Sequence, residues 1–170
     1  KGFKFRRFEG ALTGTTPQGS VVMTGPKTIQ ARFDKVPELP EGAVRNGAGE
    51  TPDSVVAPGS IISVVGIHLA PDVAASTTNP LAQTLAGVTV LVEDWILPLI
   101  YVSPNEIQAQ LYSDLDPGEH TLTVQIPDQP NVSTKFVIES YAPGLFRNPD
   151  FPEQAVAEAY HTDGKAVTPD

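Results

Sequence analysis

The chain has 170 residues, a net charge of −9 and no cysteine, which excludes disulfides and thiolate metal sites. Its 14 glycines and 17 prolines interrupt it too often for long helices and favour short strands joined by turns. No apolar run reaches the ~18 residues that a membrane span needs, and an acidic body disfavours nucleic acid as a partner.

Residues 1–33 read as short strands forming part of a β repeat. Phe3 and Phe5 alternate with Lys4 and Arg6. A turn follows in Gly14–Gly19, then strands at Ser20–Met23 and Thr28–Phe33, the last with Ile29, Ala31 and Phe33 on one face. So few apolar residues bury little surface alone. Charge is uneven: six basic residues stand against Glu9 in this head, net +5, and five basic against 19 acidic in the remainder, net −14. The opening KGFKFRRF has no apolar stretch behind it and does not read as a signal peptide; a secreted parent would carry its signal elsewhere. Residues 34–57, with Pro37, Pro40, Gly42, Gly47, Gly49 and Pro52, are expected as a linker.

Residues 58–141 form the body. Ile61–Val65 reads as a buried strand, Val88–Glu93 and Trp95–Tyr101 as two more around a Glu93-Asp94 turn, and Thr121–Ile126 and Lys135–Ser140 as the last two. Between Tyr101 and Leu111, Ile107, Ala109 and Leu111 face one way, and Glu106, Gln108 and Gln110 the other. Pro104 fixes φ and lacks a donor, so Ser103-Pro104-Asn105 ends one strand and sets the register of the next. Short strands at this spacing predict an all-β fold, an immunoglobulin-like β-sandwich with a small N-terminal β segment. The expected core comprises Ile62, Val64, Leu91, Ile100, Ile107, Leu111, Leu122, Val124 and Val137. Trp95, in an apolar strand, is expected there too. Residues 142–170 are a C-terminal extension toward a following module.

Candidate chemistry is sparse. His68, His120 and His161 each stand alone, with no HExxH, GxSxG or phosphate-binding glycine loop, so no enzyme activity and no cofactor are expected. Asp114, Asp116 and Glu119, in SDLDPGE, are the best hard-metal candidates, with calcium as the ion; the competing reading is a solvated Asp-Pro-Gly turn, and no metal site is expected. Asn131-Val132-Ser133 has the form of a glycosylation sequon.

Two resemblances add to these readings. VVAPGSIISVVGIHLAP, PLAQTLAGVTVLVED, PLIYVSPNEIQAQL, DLDPGEHTLTV and YAPGLF occur in the order seen in the uncharacterised C-terminal module of secreted soil-acidobacterial (Solibacter-type) proteins, which is related to IPT/TIG immunoglobulin-like domains. Departures are Glu106 for the usual Gln, Gln108 for the usual Asn, and Glu93-Asp94 where Asn-Gly is common. Gly2, Phe3, Phe5, Phe8, Gly10, the Thr13-Gly14-Thr15 turn and Ala31-Arg32-Phe33 resemble part of a divergent internalin-type B repeat, with Phe8 where Trp is usual. The resemblances imply an extracellular or cell-surface β-module and no chemistry.

The expected role is therefore structural or adhesive. One form of it is self-assembly into a filament or matrix by strand exchange, with Phe3, Phe5, Phe8, Ile29, Phe33 and Tyr160 at the contacts. Partners would be other copies of the chain or neighbouring domains of the same surface protein. The alternatives are a carbohydrate- or surface-binding accessory module, for which Trp95, Tyr101 and Tyr160 would have to form a platform for polysaccharide, and an inert spacer. Neither nucleic acid nor membrane insertion is expected.

Overall fold

The structure, a computed structural model, describes residues 2–49 and 55–144. These residues form eleven strands and no helix. The strands are β1 (Phe3–Gly10), β2 (Ile29–Lys35), β3 (Val44–Asn46), β4 (Ile61–Val65), β5 (Ala74–Ala75), β6 (Thr89–Val92), β7 (Trp95–Ile96), β8 (Leu99–Val102), β9 (Glu106–Gln110), β10 (Gly118–Gln125) and β11 (Val132–Ile138). Two antiparallel sheets pack as a β-sandwich: a five-stranded sheet ordered β3-β4-β9-β8-β5 and a four-stranded sheet ordered β11-β10-β6-β7. A separate two-stranded ribbon, β1-β2, completes the fold.

Alternation sets which side chains enter the sandwich. From the five-stranded sheet come Val44, Ile62, Val64, Leu99, Val102, Ile107 and Ala109. From the four-stranded sheet come Val90, Val92, Leu122, Val124, Phe136 and Ile138. Ile62, Val64, Ile107, Leu111, Leu122 and Val124 lie where the sequence put them. Leu91, Ile100 and Val137 do not: the first two are half-buried and Val137 is 50% exposed. Their neighbours Val90, Val92, Leu99, Phe136 and Ile138 take the inward positions instead. These stretches are apolar on both faces, so alternation gives no phase there.

Trp95 is also outside the core, 49% exposed. The stretch expected as one strand from Trp95 to Tyr101 is two. β7 pairs with β6 in one sheet, and β8 pairs with β9 in the other. Leu97, fully buried, makes the crossing with its N–H on the Val90 carbonyl at 2.8 Å. The Pro98 carbonyl accepts from Gln110 N–H at 3.0 Å.

The corner at Ser103 works by side-chain capping. Its Oγ accepts from the N–H groups of Asn105 (3.3 Å) and Glu106 (3.0 Å) and donates to the Glu106 carbonyl (3.1 Å). The carbonyls of Pro104 and Asn105 accept from Leu69 and Gly66, tying the corner to the segment after β4. It is a joint between strands, as its composition implied.

Residues 34–57 are not wholly a linker. β3 pairs with β4, and Ala43, Val44 and Val56 are buried. Asn46, buried, donates to the carbonyls of Val55 (3.2 Å) and Ala142 (3.0 Å) and accepts from Ala48 N–H (3.0 Å), stitching this region to the chain beyond β11. Conversely, Ser20–Met23 forms no strand; Val22 and Met23 are 79% and 70% exposed.

The phase of β11 is directly testable. Phe136→Ala should cost about 3–5 kcal/mol of unfolding free energy, as aromatic truncation in a core does. Val137→Ala should stay within about 0.5 kcal/mol, as for a surface site. Urea denaturation of both variants checks this; equal costs would put the wrong residue inside.

Candidate functional site

The β1-β2 ribbon is the part of the described chain least used by the sandwich. Every residue of β2 is exposed, and β1 has only three half-buried positions, Phe5, Phe8 and Glu9. Such a ribbon cannot rely on burial. Its side chains hold it by local pairs. Phe5 meets Phe8 with ring centroids 4.8 Å apart and Phe33 edge-on at 5.8 Å, offset geometries that suit aromatic quadrupoles.

Ion pairs line the ribbon. Glu9 bridges Arg7 (2.6 Å) and Arg32 (2.9 Å), crossing from β1 to β2, and Arg6 reaches Asp34 at 3.3 Å. The Arg32 guanidinium, and after it that of Arg7, holds the Glu9 carboxyl below the usual glutamate range. All these groups are solvent-exposed or nearly so, so salt weakens them.

One end of the ribbon is anchored. Gly2 N–H donates to Glu38 Oε1 at 2.8 Å, and Val36 N–H donates to the Gly2 carbonyl at 2.9 Å. Gly2 adopts φ 81°, and a Cβ there would lie 2.7 Å from Ile67 Cδ1. A side chain would therefore both strain the backbone and displace Ile67. Phe3 stands edge-on to His68 at 5.0 Å, which gives that half-buried histidine a packing role.

The backbone direction along β2 decides what its outer edge offers. Phe8 pairs with Ala31. Phe8 N–H points away from β2, donating to the Gly14 carbonyl at 2.9 Å. Phe8 and Ala31 are therefore a non-hydrogen-bonded pair, and Ala31 turns its own N–H and C=O outward. Ile29, which pairs with Gly10 two positions along, does the same. No strand among the described residues pairs with that edge.

Of the residues expected at assembly contacts, Phe3 (60%), Phe33 (57%) and Ile29 (43%) are exposed, while Phe5 and Phe8 are half-buried against each other. The fold brings all five into one ribbon. Tyr160 and the tail beyond residue 144 lie outside the described residues. The acidic candidates are not gathered: Glu119 Oε1 accepts from Lys135 Nζ at 2.6 Å, and Asp114 Oδ1 accepts from Ser113 Oγ at 3.0 Å. Among the described residues no group of three or more metal-ligating side chains is placed to hold an ion. Glu119 in turn holds the Lys135 ammonium above its usual range.

A second exposed feature involves one residue of the platform weighed as an alternative, Trp95, which was expected in the core. Trp95 packs on Tyr112, with ring centroids 5.4 Å apart, beside a groove lined by Asn79, Pro80, Gln83, Pro98, Gln110 and Tyr112. Pro98, at the crossing between sheets, interrupts the stretch that was read as one strand from Trp95 to Tyr101.

No protein-family model matches the chain, and no curated protein matches it. A solved structure described as a "Putative bacterial DNA binding protein", from Bacteroides vulgatus ATCC 8482, is similar over 83% of this chain and 68% of that one, with 15% identity and a TM-score of 0.39. A likeness that distant transfers neither fold nor function.

The ion triad makes a prediction. Glu9 should titrate below the usual glutamate range, and Arg32→Gln should return part of that shift, more than Arg7→Gln does; side-chain carboxyl NMR over a pH series reads all three. A folded-state pKa below the unfolded one means the contribution is present at neutral pH and is lost as pH falls through the lowered value. An unshifted Glu9 would show that the Arg7–Glu9–Arg32 triad does not persist in solution.

Proposed function

We propose that this chain is a non-catalytic, adhesive module of the immunoglobulin-like kind, working on the outside of a bacterial cell, and that β2 is the edge by which it joins a second copy or a neighbouring domain. The observation that carries this reading is a seven-residue edge strand, exposed at every position, with outward backbone groups at Ile29 and Ala31. Natural sandwiches blunt their edges with short strands, charge or cover. This one does so elsewhere: β5 and β7 have two residues each and β3 has three. At the long edge of β11, Glu139 N–H bonds to the Val56 carbonyl, which covers the strand's end. β2 is neither short nor covered, and its charges lie toward its C-terminal half. Its Arg32 and Asp34 are engaged with β1, which leaves Ile29, Ala31 and Phe33 as an apolar row.

Charge supports the same reading. A head of +5 in a chain whose remainder is −14 steers copies head to body, and a head-to-tail contact that does not close on itself builds a filament. Ladder hydrogen bonds supply affinity, and the apolar row of Ile29, Ala31 and Phe33 supplies register.

The test is sedimentation velocity on the full chain over a concentration series at low and high salt. The wild type should associate with rising concentration and less so at high salt. Ala31→Pro should abolish association while leaving the melting temperature within a few degrees. It removes an outward N–H that makes no bond within the ribbon and leaves the β1-β2 ladder intact. A wild type that stays monomeric at every concentration, or a proline variant that associates as well as the wild type, would overturn strand addition at this edge.

A further inference from the structure

We infer that the groove beside Trp95 and Tyr112 is a binding site for neutral polysaccharide. It lies on the sandwich, and no residue of β1 or β2 lines it, so it stands or falls separately from strand addition.

The site is built from residues that local structure holds in place. Tyr112 Oη donates to the Ile96 carbonyl at 2.9 Å, and Gln83 Nε2 lies 3.3 Å from that hydroxyl and 3.4 Å from the same carbonyl. The phenol ring is therefore fixed before any ligand arrives, which lowers the ordering cost of binding. Trp95 of β7 is not itself a lining residue, but it packs on Tyr112 and is half exposed, so it extends the aromatic surface at the groove's side. Pro80 and Pro98 add rigid apolar surface, and the groove has a volume of about 660 Å³, room for more than one sugar ring.

The chemistry of the lining selects the ligand. No charged residue lines the groove, although the chain carries a net charge of −9. The polar groups are amides. Those of Asn79 and Gln110 make no side-chain hydrogen bond within the described protein. An amide offers a donor and an acceptor together, which matches a pair of adjacent hydroxyls. An aromatic wall offers the face on which the C–H side of a pyranose ring packs. A neutral sugar chain presents both surfaces. A polyanion would draw on positive charge that the groove does not supply.

Trp95 is the chain's single tryptophan, so intrinsic fluorescence reports on this wall alone. The experiment uses the full chain with three neutral glucans of different linkage (hydroxyethylcellulose, a soluble β-1,3-glucan and dextran), and polygalacturonate as the anionic comparison. Affinity electrophoresis in gels containing each polymer measures retardation, and titration in solution follows Trp95 emission. At least one neutral glucan should retard the protein and shift the emission, and polygalacturonate should do neither. Trp95→Ala should weaken retardation at least tenfold, Trp95→Phe should restore part of it, and the Asn79→Ala/Gln110→Ala pair should weaken it with the aromatic wall intact. These side chains are exposed or carry no internal bond, and an unchanged melting temperature confirms that each variant folds. The inference is overturned if no neutral glucan retards the wild type, if Trp95→Ala is retarded as strongly as the wild type, or if polygalacturonate binds equally well.

Discussion

Alternate side chains of β4, β9, β6 and β10 meet in one dry layer between two sheets, and the features of the sandwich are placed by that layer. Ile62, Val64, Ile107, Ala109, Val90, Val92, Leu122 and Val124 are all fully buried in it. Because a strand's side chains alternate, a slip of one residue in β9 would bring Glu106, Gln108 and Gln110 inward. The outer face of the same sheet shows what such a slip would forfeit: Glu106 Oε1 accepts from Ser63 Oγ at 2.8 Å and from Gln108 Nε2 at 3.1 Å. Register, core and outer polar network are thus fixed together. The Ser103 corner, with its three local hydrogen bonds, holds the start of β9 in that register.

The layer also explains where the candidate surfaces fall. A chain leaving one sheet for the other must turn its side chains about. The crossing at Leu97 and Pro98 therefore buries Leu97 and Leu99 while sending Trp95 and Ile96 outward. The exposed tryptophan follows from a sheet-to-sheet crossing, not from a failure of burial. The ribbon, by contrast, is outside the layer altogether. It is held by an aromatic trio, exposed ion pairs and the Gly2–Glu38 anchor, interactions that are individually weak in water. A segment held so lightly can give its free edge to a partner at little cost to the sandwich.

What could be read from the sequence follows the same physics. β9 and β10 were legible because polar and apolar residues alternate strictly in EIQAQL and TLTVQI. The phase of β6, β8 and β11 was not, because VTVLV, PLIYV and KFVI are apolar on both faces and only the opposing sheet chooses between them. β3 was hidden because three residues among prolines and glycines carry no periodicity; what marks it is the buried Asn46, which reaches Ala142, far along the chain, as well as nearby Val55. In the ribbon, the Phe3/Phe5 and Ile29/Ala31/Phe33 patterns were visible. The outward direction of the Ala31 backbone depends on the Phe8–Gly14 bond and so required the fold.

Hydrogen exchange at the backbone amides of β2 tests the central claim most directly, because it reads the edge itself. In the full chain at low concentration, the amides of Ile29 and Ala31 should exchange fast, while those of Gln30 and Arg32, bonded to β1, exchange more slowly. As concentration rises, Ile29 and Ala31 should gain protection while the amides buried in the sandwich stay unchanged. Protection of Ile29 and Ala31 that is the same at every concentration would contradict the account: this edge would then not be where copies of the chain meet.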